Sequence, residues 1–115
     1  MKMVIAYVQP FVAERVVKAL QEIQGLPGAT VIECHGFGRG RGNSDAEPLT
    51  ATSERFSTLR KIRVETMIPD ELEDVVLSTI RSAAHTGSHG DGKVYVTSID
   101  RALRIRTGEE GEAGL

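Results

Sequence analysis

Two amphipathic stretches, each set between short β-branched runs, constrain this chain more than any other feature. From Leu72 onward, Leu72, Val75, Val76, Thr79, Ile80, Ala83 and Ala84 follow three- and four-residue steps, which gathers them on one face of a helix. An earlier stretch starting at Phe11 does the same, with Val16, Val17, Leu20 and Ile23 on one side and Glu14, Arg15, Lys18 and Gln21 between them. Residues 3–8 and 29–36 flank the first helix, and 59–68 and 93–99 flank the second; each reads as a strand. Gly25-Leu-Pro-Gly28 punctuates the end of the first helix and Thr86-Gly87 the end of the second. Asp70, with Glu73 three residues later, is predicted to cap the second helix in a capping box.

The order strand-helix-strand, long loop, strand-helix-strand predicts an α+β, ferredoxin-like βαββαβ fold. Right-handed crossovers then place both helices on one face of a four-stranded antiparallel sheet. The other face lacks a helix to cover it, so a homo-oligomer that buries it is expected. With 115 residues, the chain is long enough for a single domain, 1–115. A 40% hydrophobic and 26% charged composition is that of a globular protein, and a net charge of −2 gives no reason to expect nucleic-acid binding. The one cysteine, Cys34, rules out an internal disulfide framework and suits a reducing, cytoplasmic setting. No apolar run reaches membrane-spanning length, so insertion into a membrane is not expected.

Between the second and third strands lie some twenty residues, from Gly38 to about Thr58, rich in Gly, Ser, Thr, Asp and Asn and without a sustained period. Loops of that length inside a small domain are uncommon and usually functional or disordered. Three further stretches carry possible anion chemistry. Gly87-Ser-His-Gly-Asp-Gly92-Lys93 satisfies the G-x4-G-K part of a Walker A loop, but Val94 stands where the hydroxyl residue should be. It also follows a helix and enters a strand, the reverse of the Walker order. Its glycines could still turn successive amides into one anion-binding concavity beside Lys93. A plain turn accounts for them equally well. Gly36-Phe-Gly-Arg-Gly-Arg-Gly42 reads as a strand end with a bulge or a weak RGG-like segment. Arg104 and Arg106, two apart, would share one side of an extended chain, a suitable pair for a polyphosphate.

"GFGR" closing the second strand, "TGSHGDGK" after the second helix and "RIRTGE" near the C-terminus, in that order, resemble the PII signal-transduction proteins, the nitrogen-regulatory family. "QPF" and "IPDEL" are similar to that family's "KPF" and "VPDD". The resemblance implies a homotrimer that binds ATP or ADP, with AMP a further candidate, in clefts between subunits. Magnesium would accompany ATP alone. By matching position, Gly36, Phe37, Gly38 and Arg39 would line the cleft, with Thr30, Glu65 and Met67 near base and sugar. Gly90, Asp91, Gly92 and Lys93 would correspond to the B-loop (87–93) around the phosphates. Arg104 and Arg106, in a C-terminal loop and tail (104–115), would reach in from the adjacent subunit. Residues 38–60 would form the T-loop, which switches conformation to control a partner transporter or metabolic enzyme, with recruitment to the membrane through the transporter.

The chain departs from the family in places. Gly40 stands where a glutamine helps hold the magnesium of 2-oxoglutarate, and glycine offers no side-chain oxygen. Lys61 matches the lysine that pairs with that effector's carboxylate. The modifiable T-loop tyrosine is missing, the only tyrosines being Tyr7 and Tyr95, in predicted strands. Two alternatives follow: a sensor of bicarbonate, AMP or a cyclic nucleotide that regulates a non-nitrogen transporter, and a weak ATP hydrolase. No catalytic residue is assigned. Cys34, His35, His85 and His89 form no closed ligand set, so no metal site is assigned either.

Overall fold

Alternation decides which way each strand faces. In the computed structural model, which describes residues 1–38 and 59–115, β1 (Lys2–Val8) turns Val4, Ala6 and Val8 inward, all at most 2% exposed. β3 (Arg60–Ile68) does the same with Ile62, Val64, Thr66 and Ile68. β2 (Thr30–His35) and β4 (Lys93–Ser98) complete an antiparallel sheet in the order β2-β3-β1-β4. Helix α1 (Pro10–Gln21) contributes Val12, Val16 and Leu20 to the core, and α2 (Glu73–Ala84) contributes Val76, Ile80, Ala83 and Ala84. All pack in one cluster with the inward side chains of β1 and β3, so both helices lie on one face. This is the ferredoxin-like arrangement expected from the sequence.

Local chemistry sets the helix ends. Proline occupies the first turn of α1, where its missing N–H costs nothing. The helix ends at Gln21, a turn before the Gly-Leu-Pro-Gly punctuation, and Ile23 still packs against the core from the turn that follows. The expected capping box does not form. Asp70–Leu72 is a 3-10 turn, α2 starts at Glu73, and its N-cap residue Leu72 has helical backbone angles and makes no side-chain cap bond. The Asp70 carboxylate instead accepts from the Met1 ammonium at 2.7 Å, a charged donor that outcompetes a neutral amide. That pairing, its largest cause, lowers the Asp70 pKa. Thr66, 1% exposed and polar, is satisfied by donating to the Gly28 carbonyl at 2.6 Å.

The second sheet face has no helix against it among the described residues. Across it run Ile32, Arg63, Tyr7 and Lys93 in one row and Thr30, Glu65, Ile5 and Tyr95 in the next. Ile32 is 41% and Tyr95 53% exposed. No described helix is long and apolar enough to cross a membrane.

Candidate functional site

Helix α2 stops at Ala84 because His85 is extended, with φ −70° and ψ 127°. A carbonyl of its last turn, that of Ala83, accepts from Arg15 Nε of α1 at 2.7 Å, so the helix end is fixed before the loop begins. Residues 85–92 then return the chain to β4. Within this loop the Asp91 carboxylate accepts from the Thr86 amide at 2.7 Å, the Gly87 amide at 2.9 Å and the Thr86 hydroxyl. The bond from the Thr86 hydroxyl, followed by that from its amide, holds the Asp91 pKa down at about 2, against an ordinary 3.8. Asp91 is thus a staple inside the loop.

The loop is also pressed onto the end of β1. Gly92 has φ +106°, and a Cβ there would lie 1.8 Å from the Tyr7 carbonyl oxygen, so only glycine fits. Two residues earlier in the loop, the Gly90 carbonyl accepts from Gln9 Nε2 at 2.6 Å. Among the described residues the amides of His89 and Gly90 find no acceptor. Lys93, the first residue of β4 and three residues on from Gly90, is exposed. Two unengaged donors and an ammonium within five residues are the chemistry that an anion site requires.

Strand register places the remaining candidates. Thr30 and Glu65 are direct cross-strand partners, and Met67 pairs with Met3, so all three lie on the face without helices. Lys61 pairs with Cys34 on the same face. Gly36, Phe37 and Gly38 follow β2 at the sheet end where Lys93 starts, but β2 and β4 are opposite edges, roughly 14 Å apart at three inter-strand spacings. Phe37 is 72% exposed. Arg39, Gly40 and nearly all of the T-loop assignment at 38–60 lie outside the described residues.

The arginines of the C-terminal segment lie elsewhere. The chain leaves β4 at Ser98, which pairs with Lys2 at the sheet end away from Lys93. Arg104 and Arg106 are not on extended chain as expected: 105–107 is a turn, closed by the Gly108 amide on the Arg104 carbonyl at 2.8 Å. Strand alternation therefore does not align them. The rest of the tail is held as well: Leu103 bridges Glu110, Gly111–Gly114 is a 3-10 turn and Arg104 donates to the Leu115 carbonyl.

Sequence reasoning missed Arg63. Its guanidinium contacts Glu65 at 2.7 Å, donates to the Tyr7 hydroxyl at 3.3 Å and lies 5.9 Å from the centre of that ring. Tyr95 meets Tyr7 edge-on at 6.3 Å. The i, i+2 spacing of Arg63 and Glu65 is the signal that could have found the pair. A cavity of about 210 Å³ under the loop is lined by Val8, Ile80, Ala84, His85, Asp91 and Val94 among others, on the helix side. It falls short of the ~300–1,000 Å³ of sites that enclose ligands of drug size.

A four-stranded antiparallel sheet with both helices on one face defines a ferredoxin-like α+β domain. The family described as nitrogen regulatory protein P-II matches residues 1–109. The chain is 44% identical over 112 residues to the nitrogen regulatory protein P-II of Rhodobacter capsulatus, covering 97% of each. It is 44% identical to that of Bradyrhizobium diazoefficiens over 96% of each chain. With nitrogen regulatory protein P-II 1 of Escherichia coli K12 the identity is 39% over the full length of both. The chain belongs to the nitrogen regulatory protein P-II family, a family of signal-transduction regulators rather than enzymes.

Proposed function

We propose that this protein is an adenine-nucleotide-responsive regulator, working as a homotrimer with ATP or ADP held between neighbouring subunits. The observation that carries the reading is the construction of loop 85–92. Asp91 staples it, Gly92 seats it on β1, the amides of His89 and Gly90 have no acceptor among the described residues, and Lys93 is exposed at its end. In this reading Gly90, Gly92 and Lys93 bind phosphate, and Asp91 keeps the loop in shape. Gly36, Phe37, Gly38 and Arg39 line the cleft, while Thr30, Glu65 and Met67 meet the base and sugar.

Arg104 and Arg106 come from a second copy. Support for this is that their segment departs from the opposite end of β4, six residues and roughly 20 Å from the loop. The open sheet face, with Ile5, Ile32 and Tyr95, is the surface that association buries. The segment 38–60 responds to the bound nucleotide and engages a transporter or metabolic enzyme, which requires its states to differ in nucleotide affinity.

Titration calorimetry with ATP, ADP and AMP tests the reading, alongside a mass measurement in solution. Expected are a mass three times 12.5 kDa, micromolar binding and at least tenfold weaker binding in Lys93→Ala. A monomer that binds none of the three nucleotides refutes it. Gly40 favours a second effector reading, because it supplies no side-chain metal ligand. Bicarbonate compared with 2-oxoglutarate on ATP-loaded protein separates the two.

A further inference from the structure

We propose that Gln9 is a positioning residue for the phosphate loop, holding the 90–91 peptide with its carbonyl turned away from the bound anion; this rests on the nucleotide reading above. Gln9 is the N-cap residue of α1, the position whose side chain ordinarily bonds the first turn of the helix. Here it makes no cap bond. Its backbone carbonyl accepts from the Val12 amide at 3.1 Å, and Pro10 follows, so its main chain is fixed from both sides. The side-chain amide instead crosses 81 positions of sequence to the Gly90 carbonyl at 2.6 Å.

That carbonyl is the one most in need of a fixed direction. Loop 87–92 contains Gly87, Gly90 and Gly92, and glycine admits either orientation of a peptide plane at little cost. Turned outward, the Gly90 oxygen would set a negative dipole end against phosphate oxygens, beside the open amides of His89 and Gly90. Held by Gln9, that carbonyl is engaged and does not oppose an anion at the neighbouring amides. The other two restraints do not fix this peptide. Asp91 binds the amides of Thr86 and Gly87, and Gly92 is limited by its contact with Tyr7. The Asp91 amide, on the same peptide plane as the Gly90 carbonyl, reaches the Ser88 carbonyl at a long 3.3 Å, so the 2.6 Å bond from Gln9 is the shorter of the two contacts on this plane.

The donor here is neutral. A lysine could make the same bond and would add a charge beside the phosphates, so the two donors should differ in their response to salt.

Two readouts test the proposal. In ligand-free protein, hydrogen exchange at the Asp91 amide should speed up about tenfold in Gln9→Leu and stay near wild type in Gln9→Lys. In calorimetry, ATP and ADP should bind Gln9→Leu three- to tenfold more weakly. Gln9→Lys should bind at least as tightly as wild type, with a steeper loss in salt. Unchanged exchange in Gln9→Leu overturns the tether whatever the nucleotide result. Faster exchange with unchanged nucleotide affinity overturns its role in phosphate binding. Wild-type protein that binds no nucleotide refutes the functional reading, and the exchange data then decide the tether alone.

Discussion

Replacing Gly92 with alanine is the sharpest available perturbation, because two independent penalties meet at one atom. The added Cβ would stand 1.8 Å from the Tyr7 carbonyl oxygen and 2.9 Å from its carbonyl carbon. Even the closest separation that real Cβ atoms reach, 3.0 Å, requires 1.2 Å of movement (3.0 less 1.8), and the obstacle is backbone of β1. The φ of +106° adds strain of about 1–3 kcal/mol for a residue with a side chain. Relief by displacement would lift the loop off β1 and break the Gln9–Gly90 bond, worth about 1 kcal/mol. With loosened pairing at the start of β4, the total comes to about 3–5 kcal/mol, a large share of the roughly 5–15 kcal/mol that stabilises a domain. Urea unfolding at fixed protein concentration reads it. Gly28→Ala serves as control, since a Cβ there meets nothing within 4 Å, and should shift stability by less than about 0.5 kcal/mol. If Gly92→Ala costs under about 1 kcal/mol, the argument that this contact fixes the loop is refuted.

Two further outcomes follow from single contacts. Thr66→Val keeps the buried shape but strands the Gly28 carbonyl, so it should cost about 1–2 kcal/mol in the same unfolding assay, whereas Thr66→Ser, which retains the donor, should recover most of the bond; a valine variant as stable as wild type would count against the contact. Because the folded pKa of Asp91 is depressed, its stapling is complete above the ordinary 3.8 and is lost as pH falls through about 2. The amide proton resonances of Thr86 and Gly87 should therefore titrate together with a midpoint near 2, and a midpoint near 4 would show that Asp91 does not hold them.

The fold was legible where periodicity speaks for itself. Val76, Ile80, Ala83 and Ala84 are buried as their spacing requires, and so are Val16 and Leu20. Val75 shares the pattern yet is 42% exposed, because the apolar stripe is wider than the surface the sheet offers it. The capping box failed for a reason no local reading contains: the partner of Asp70 is the chain's own amino group, 69 positions away. Misreading 104–106 as extended had a similar cause, since the turn there is closed by bonds to Gly108 and Glu109 that alternation cannot anticipate. Of the candidate loop, the glycines and Lys93 stood out in composition and order, whereas the staple by Asp91 and the contact of Gly92 with Tyr7 did not. Gln9 was visible as a residue but not as a contact.

The sequence by itself determined the element types, the helical faces and the ferredoxin-like order, because each depends on spacing between neighbours along the chain, and its motifs carried the resemblance to the family. Tertiary structure alone decided which donors in the 85–92 loop remain open, why position 92 excludes a side chain, and that Arg63 joins Glu65 to Tyr7. Those outcomes depend on which backbone lies against which after the sheet has closed. Strand register makes that choice, bringing Tyr7 to Lys93 and Arg63 from residues 86 and 56 positions away.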